Sequence, residues 1–193
     1  MFATTTLPTD TIHRIRVEAA CLAADPLALP TMAAMFRLGA ELRPDQTTLD
    51  AFHTWLSDEF ESIPALIQLV ERPVPLTEAV AALTRPILPG ESRILPVSTI
   101  GNTPVDGLMT WTQNLMFRAV HDHMHAKLGV DDTWEGELAT TLGHLATSCP
   151  QIWPILASEV AGQAAVAIFE GEFPEQRLSA QCLSVLAPAI IGG

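Results

Sequence analysis

The sequence predicts an all-α protein: one domain over residues 1–193, folded as a helical bundle of about six to eight helices. Three observations carry this expectation. Apolar residues recur every three or four positions through most of the chain, as in Leu49, Phe52, Trp55, Leu56, Phe60 and Ile63. Helix-stop and helix-start residues punctuate those runs. The main stretch dense in proline and glycine, about residues 71–107, interrupts the pattern as an irregular strap rather than a linker between domains.

Taken in order, residues 10–40 read as helix with a break at Asp25 and Pro26, because proline disfavours helix in the residue before it. The second piece, "TMAAMFRLGAELR", ends near Pro44. "DQTTLDAFHTWLSDEFESIPALIQLVE" reads as one amphipathic helix, bent or restarted at Pro64. Within the strap only "PLTEAVAALT" suits a helix. "SRILPVSTI" suits a short extended segment, with Pro96 arguing against a central strand. "GLMTWTQNLMFRAVHDHMHAKLG" is helical again and stops at Gly129. "DDTWEGELATTLGHLATSCP" opens with Asp132 as cap and Glu135 three residues on, like a capping box. "PQIWPILASEVAGQAAVAIFEG" forms the next helix, with Pro154 in its first turn, and Pro174 opens one more.

The formal net charge is -12, from 10 Lys and Arg against 22 Asp and Glu. Such a surface repels phosphates and anionic lipid heads, so neither nucleic acid nor membrane is expected as a partner. Multivalent cations and basic protein surfaces fit better. Three cysteines, Cys21, Cys149 and Cys182, form no CxxC pair and read as reduced, buried thiols. The start "MFATTTLPTDTIHR" lacks the pattern of a signal peptide, and no run of about 18 apolar residues stands out. The expected location is cytoplasmic.

The chemistry concentrates in residues 108–178. His121 and His125 are four apart, so their imidazoles lie on one helix face, one turn from each other. Two such rings can grip one ion. Asp122 is turned roughly 100° from His121, and His123 roughly 200°, away from the pair. The next helix offers Glu137 and His144, seven apart and nearly on one face. The one after offers Glu159 and Gln163 in an almost wholly apolar stretch, where an unpaired glutamate is costly to bury. His121, His125, Glu137, His144 and Glu159 are therefore the candidate metal ligands. Asp122, Glu137 and Gln163 are the candidate catalytic or supporting groups. Imidazoles with one or two carboxylates suit a divalent metal, zinc first, with iron and manganese as alternatives. Each residue alone has a plainer account: His123, His125 and Lys127 favour a helix C-terminus, and Glu137 favours an N-terminus. The four tryptophans read as core anchors, and His13 and His53 as surface or core-edge residues.

The strings "FRAVHDHMH", "WEGELATTLGHL", "SEVAGQ" and "GEFPEQR" resemble an uncharacterised group of helical proteins found in phages and other mobile elements. The positions that carry the likeness are Arg118, Ala119, His121, Asp122, His125, Gly136, Glu137, Glu159, Gly162, Gln163, Phe173, Pro174 and Gln176. It spans about residues 115–178 and leaves the first 60% or so of the chain uncovered. Within that group the second histidine falls four or five positions after the first, and position 144 varies between histidine and glutamine. The resemblance implies site residues and a phage-like origin, with the host cytoplasm as location; it implies no reaction.

Three functions follow as expectations. A metal-dependent hydrolase would use His121, His125 and Glu137 or Glu159 to hold zinc and activate water. A non-haem iron or di-metal oxidase-like bundle would draw extra ligands from Glu59, Glu61 or His53. A non-enzymatic protein would bind a host protein or act in the virion, with the polar cluster as a structural element.

Overall fold

The computed structural model describes residues 7–191. Residues 1–6, part of the segment read as lacking a signal peptide, lie outside the described residues. Among the described residues the chain forms eight helices and one two-stranded sheet. The all-α class is therefore correct, with a small β element added.

Helices α1 (Thr9–Ala23) and α2 (Ala28–Leu38) meet at 86°, bent where Asp25 and Pro26 were expected to break the chain. The carboxylate of Asp25 accepts a bond from the Leu27 N–H at 2.9 Å, which closes the turn. Helix α3 (Gln46–Glu61) starts on Asp45, whose side chain accepts from the Thr48 N–H at 2.8 Å.

The segment after α3 is not a restarted helix. Leu66–Val70 forms strand β1, which pairs in parallel with β2 (Ile94–Ser98), Leu66 opposite Ile94 and Val70 opposite Ser98. Pro64 ends the helical pattern, and "LIQLV" then finds a partner strand to satisfy its backbone groups. Pro96 sits within β2 opposite Gln68. A two-stranded sheet has only edge strands, where proline is tolerated. Helix α4 (Leu76–Thr84) connects the strands. The expected strap thus contains a β-α-β unit, with irregular chain around it. Leu95 and Val97 of β2 are buried, and α4 and β2 both pack against α5.

Helix α5 (Trp111–Leu128) opens with a capping box formed by Thr110 and Gln113, and stops at Gly129 in the left-handed conformation, φ 63°. Helix α6 (Trp134–Thr147) is capped by Thr133, which accepts from the Gly136 N–H. The expected Asp132–Glu135 box is not used, because Asp131 binds the Thr133 N–H and hydroxyl and fixes Thr133 as the cap. Gly136 is enforced by packing: a Cβ there would meet the Asp131 carbonyl oxygen at 1.9 Å.

Helix α7 (Pro150–Glu170) begins with a 3₁₀ turn at Pro150–Ile152 and carries a π-helical turn over Ala157–Gly162. By length and composition it is apolar enough to cross a membrane, contrary to the reading that no such run exists. Within the protein 67% of its apolar window is buried, which is how a core helix behaves. Pro174 does not open a helix. The chain after α7 is held instead by an antiparallel bridge of Glu41 to Ser179 and by Arg177, which donates to the carbonyls of Arg37 and Gly39. The last helix is α8 (Cys182–Ile191).

One core, with Phe36, Phe52, Leu56, Met124, Leu138, Ile155 and Leu156 almost fully enclosed, joins these helices. Helix α6 lies at its middle, in contact with α1, α5 and α7. Two expectations about single residues fail here. Cys21 and Cys149 are exposed, and only Cys182 is buried. Trp55 is a core anchor, but Trp111 is half exposed.

Candidate metal centre

The i,i+4 geometry of α5 brings His121 and His125 together as the spacing requires. Their Nε2 atoms stand 3.1 Å apart. Glu137, in the first turn of α6, reaches between them: Oε2 lies 3.6 Å from His121 Nε2, and Oε1 lies 3.6 Å from His125 Nε2. All three ligating atoms fall within 4.8 Å of one another. Ligands held about 2.0–2.2 Å from a tetrahedral zinc stand about 3.3–3.6 Å apart, so these separations suit one ion. Among the described residues this is the single cluster of its kind. The three residues can hold a divalent metal.

Burial sets the electrostatics. His125 is fully enclosed, and Glu137 is 9% exposed. Burial drives His121 down to about 3, so its ring is neutral at physiological pH and offers a lone pair rather than a charge. The Nδ1 atoms of His121 and His125 are both buried without a hydrogen-bond partner among the described residues. The support that metal-bound histidines usually receive from a neighbouring acceptor is therefore not supplied by Asp122 or Gln163, as the sequence suggested. Asp122 is partly exposed, burial pushes its carboxyl up to about 7, and no hydrogen bond joins it to either ring.

The other predicted residues are nearby but outside the triad. His144 is fully enclosed in an aromatic cage: its ring stacks on His121 at 6.1 Å and Phe117 at 6.3 Å, and meets Trp55 edge-on at 5.4 Å. Neither ring nitrogen has a hydrogen-bond partner among the described residues, and burial lowers the imidazole to about 3. His123 is buried away from the cluster, lowered to about 4 by the same cause. Of the extra ligands considered for a di-metal site, Glu59 faces Lys127 at 3.5 Å and His53 Nε2 lies 2.7 Å from the Leu108 carbonyl.

Glu159 and Gln163 lie on α7 beside a cleft of about 1150 Å³ that His121 and Glu137 also line. Glu159 sits inside the π turn, where an extra residue per turn shifts which side chains face one way. Gln163 Nε2 donates to Glu159 Oε1 at 2.9 Å and to Gln176 Oε1 at 3.1 Å. Gln176 arrives from the loop that Arg177 fixes. The opposite rim is the stretch after β2. Arg118, one turn before His121's neighbour on α5, donates to the carbonyls of Ser98, Ile100 and Gly101 at 2.8–3.0 Å. This clamp was missed as such: the sequence marks Arg118 only through the phage-protein likeness, since carbonyl partners twenty residues away leave no local signal. Asn114, bonded to Asn102 at 2.7 Å, was missed for the same reason.

Comparison with known proteins finds no matching family model, no matching curated protein and no matching solved structure.

Proposed function

We propose that this chain is a metal-dependent hydrolase, with zinc held by His121, His125 and Glu137. One observation carries the reading: three ligating atoms converge on a point at the wall of a large cleft. Structural zinc sites are closed by four protein ligands, whereas catalytic ones keep three and leave a position open. Here the cluster supplies three, and His121 and Glu137 border the cleft. A zinc ion in such a site lowers the pKa of bound water toward about 7 and makes it a nucleophile. The residues' own part is to fix the ion, to keep His121 neutral through burial, and to border a space of substrate size. The likeness to phage and mobile-element proteins supports an origin of that kind, with the host cytoplasm as its place of action.

The test is activity of tag-free protein against a panel of chromogenic esters, amides and phosphodiesters. Hydrolysis that needs zinc, stops with a chelator and is absent from His125→Ala supports the proposal. Full activity in metal-free protein, or no hydrolysis by zinc-loaded protein, contradicts it.

A further inference from the structure

Glu159 lacks the counter-charge that a buried carboxylate needs. Its side chain lines the cleft, and the residue is 7% exposed. Oε1 accepts from Gln163, while Oε2 has no hydrogen bond and no ion pair among the described residues. The amides of Gln163 and Gln176 also bond each other, Gln176 Nε2 donating back to Gln163 Oε1 at 3.4 Å, and being neutral they bring no counter-charge. Gln163 aims the carboxyl without neutralising it. Burial pushes Glu159 up to about 8.

The rest of the cleft does not answer the charge either. Asp106, Asp132, Glu137 and Glu175 line it as well. Among the described lining residues Arg118 is the one lysine or arginine, and its guanidinium is held on three carbonyls of the rim. In the metal-free cleft an anionic ligand would meet four acidic side chains besides Glu159 against that one held guanidinium. Beside Glu159 the wall turns apolar, with Val160, Ala164, Ala167, Ile168 and Phe173 along it. Phe173 is 78% exposed at the mouth, an apolar ring with little of the protein to cover it. The π turn cannot easily slide Glu159 elsewhere: Gly162 is packed so tightly that a Cβ would lie 2.6 Å from Phe36 and 3.0 Å from Cys182.

We infer that the cleft binds an organic ammonium ligand with an apolar body, its cationic nitrogen on Glu159 Oε2 and its body along the α7 wall toward Phe173. This deepens the hydrolase reading by naming a substrate class for the same cleft, and it rests on that reading only for the cleft's role. Positive charge and apolar surface arrive together in such a ligand, which is what the two faces of the cleft lack. In the metal-free protein, carboxylate and phosphate ligands are repelled.

The inference is tested by calorimetric titration of chelator-treated protein with tryptamine, tryptophol and indole-3-acetate, which share a ring and differ in charge. Tryptamine is expected to bind at least about tenfold more tightly than tryptophol, with indole-3-acetate weakest. Glu159→Gln should remove tryptamine's advantage, and His125→Ala should keep it. Equal binding of tryptamine and indole-3-acetate overturns the inference, as does undiminished tryptamine preference in Glu159→Gln. The three wild-type titrations decide the matter even if a variant fails to fold. Wild-type protein that takes up no zinc, yet keeps its tryptamine preference, would remove the hydrolase reading alone.

Discussion

Glu137 and Glu159 are two buried glutamates on one cleft, and they keep opposite company. Glu137 stands in the first turn of α6 with two imidazole nitrogens at 3.6 Å. Glu159 stands in the π turn of α7 with one amide and, among the described residues, no basic group bonded to it. The first is matched by side chains the protein itself supplies, which together can share an ion. The second is held in place but left unmatched. A buried carboxyl without such a match keeps its proton, as Glu159 does with burial pushing it up to about 8, so the difference separates a site already assembled from one whose charge waits for a cation.

The largest effect that would sharpen this contrast lies in the pH dependence of stability. Glu159 binds its proton more tightly folded, at about 8, than unfolded, near 4.5. Its contribution to stability is fully present below pH 4.5 and is lost as pH rises through about 8. Relative to wild type, Glu159→Gln should therefore gain stability across that window, by up to about 4 kcal/mol. Denaturant titrations at pH 4, 6 and 8.5 measure it; parallel curves for the two proteins would mean Glu159 has a counter-ion after all.

A smaller effect separates the imidazoles that meet Glu137 from the one that does not. His144, lowered to about 3 against an ordinary 6.5, is neutral in the fold. Its contribution is present above pH 6.5 and lost as pH falls toward 3. His144→Phe, placed in the same aromatic cage, should abolish that acid loss, roughly 3 kcal/mol by pH 4, and leave metal affinity unchanged. A large fall in metal affinity would instead place His144 among the ligands.

The smallest expected effect concerns the rim shared by both glutamates. Arg118→Ala removes three bonds to the carbonyls of Ser98, Ile100 and Gly101 and should cost about 2 kcal/mol. Hydrogen exchange should speed up first around residues 99–104. Uniform exchange changes across the protein would show that Arg118 supports the whole core rather than the cleft wall.

What could be read from the chain depended on how local the cause was. The His121–His125 pair, the stop at Gly129 and the bend at Asp25–Pro26 follow from spacing or from one residue's backbone, and the structure has them. Strand β1 was hidden because its partner, β2, lies 28 residues on, while "LIQLV" alone follows a helix without a clear change of period. Glu137 could be placed on the face of α6, but not between two rings of α5, since that depends on how the helices pack. Glu159 was expected beside the same ion. The π turn changes the register of α7, and a helical wheel with 3.6 residues per turn cannot foresee that. The aromatic cage of His144 is built by rings of α3 and α5 around a side chain of α6, so no spacing encodes it.

The most direct test of the account is native mass spectrometry of tag-free protein after zinc loading, beside His125→Ala. One ion per wild-type chain, with affinity reduced more than about 100-fold in the variant, is the predicted result. Wild-type protein that takes up no divalent ion, or a variant that binds as tightly, would contradict it.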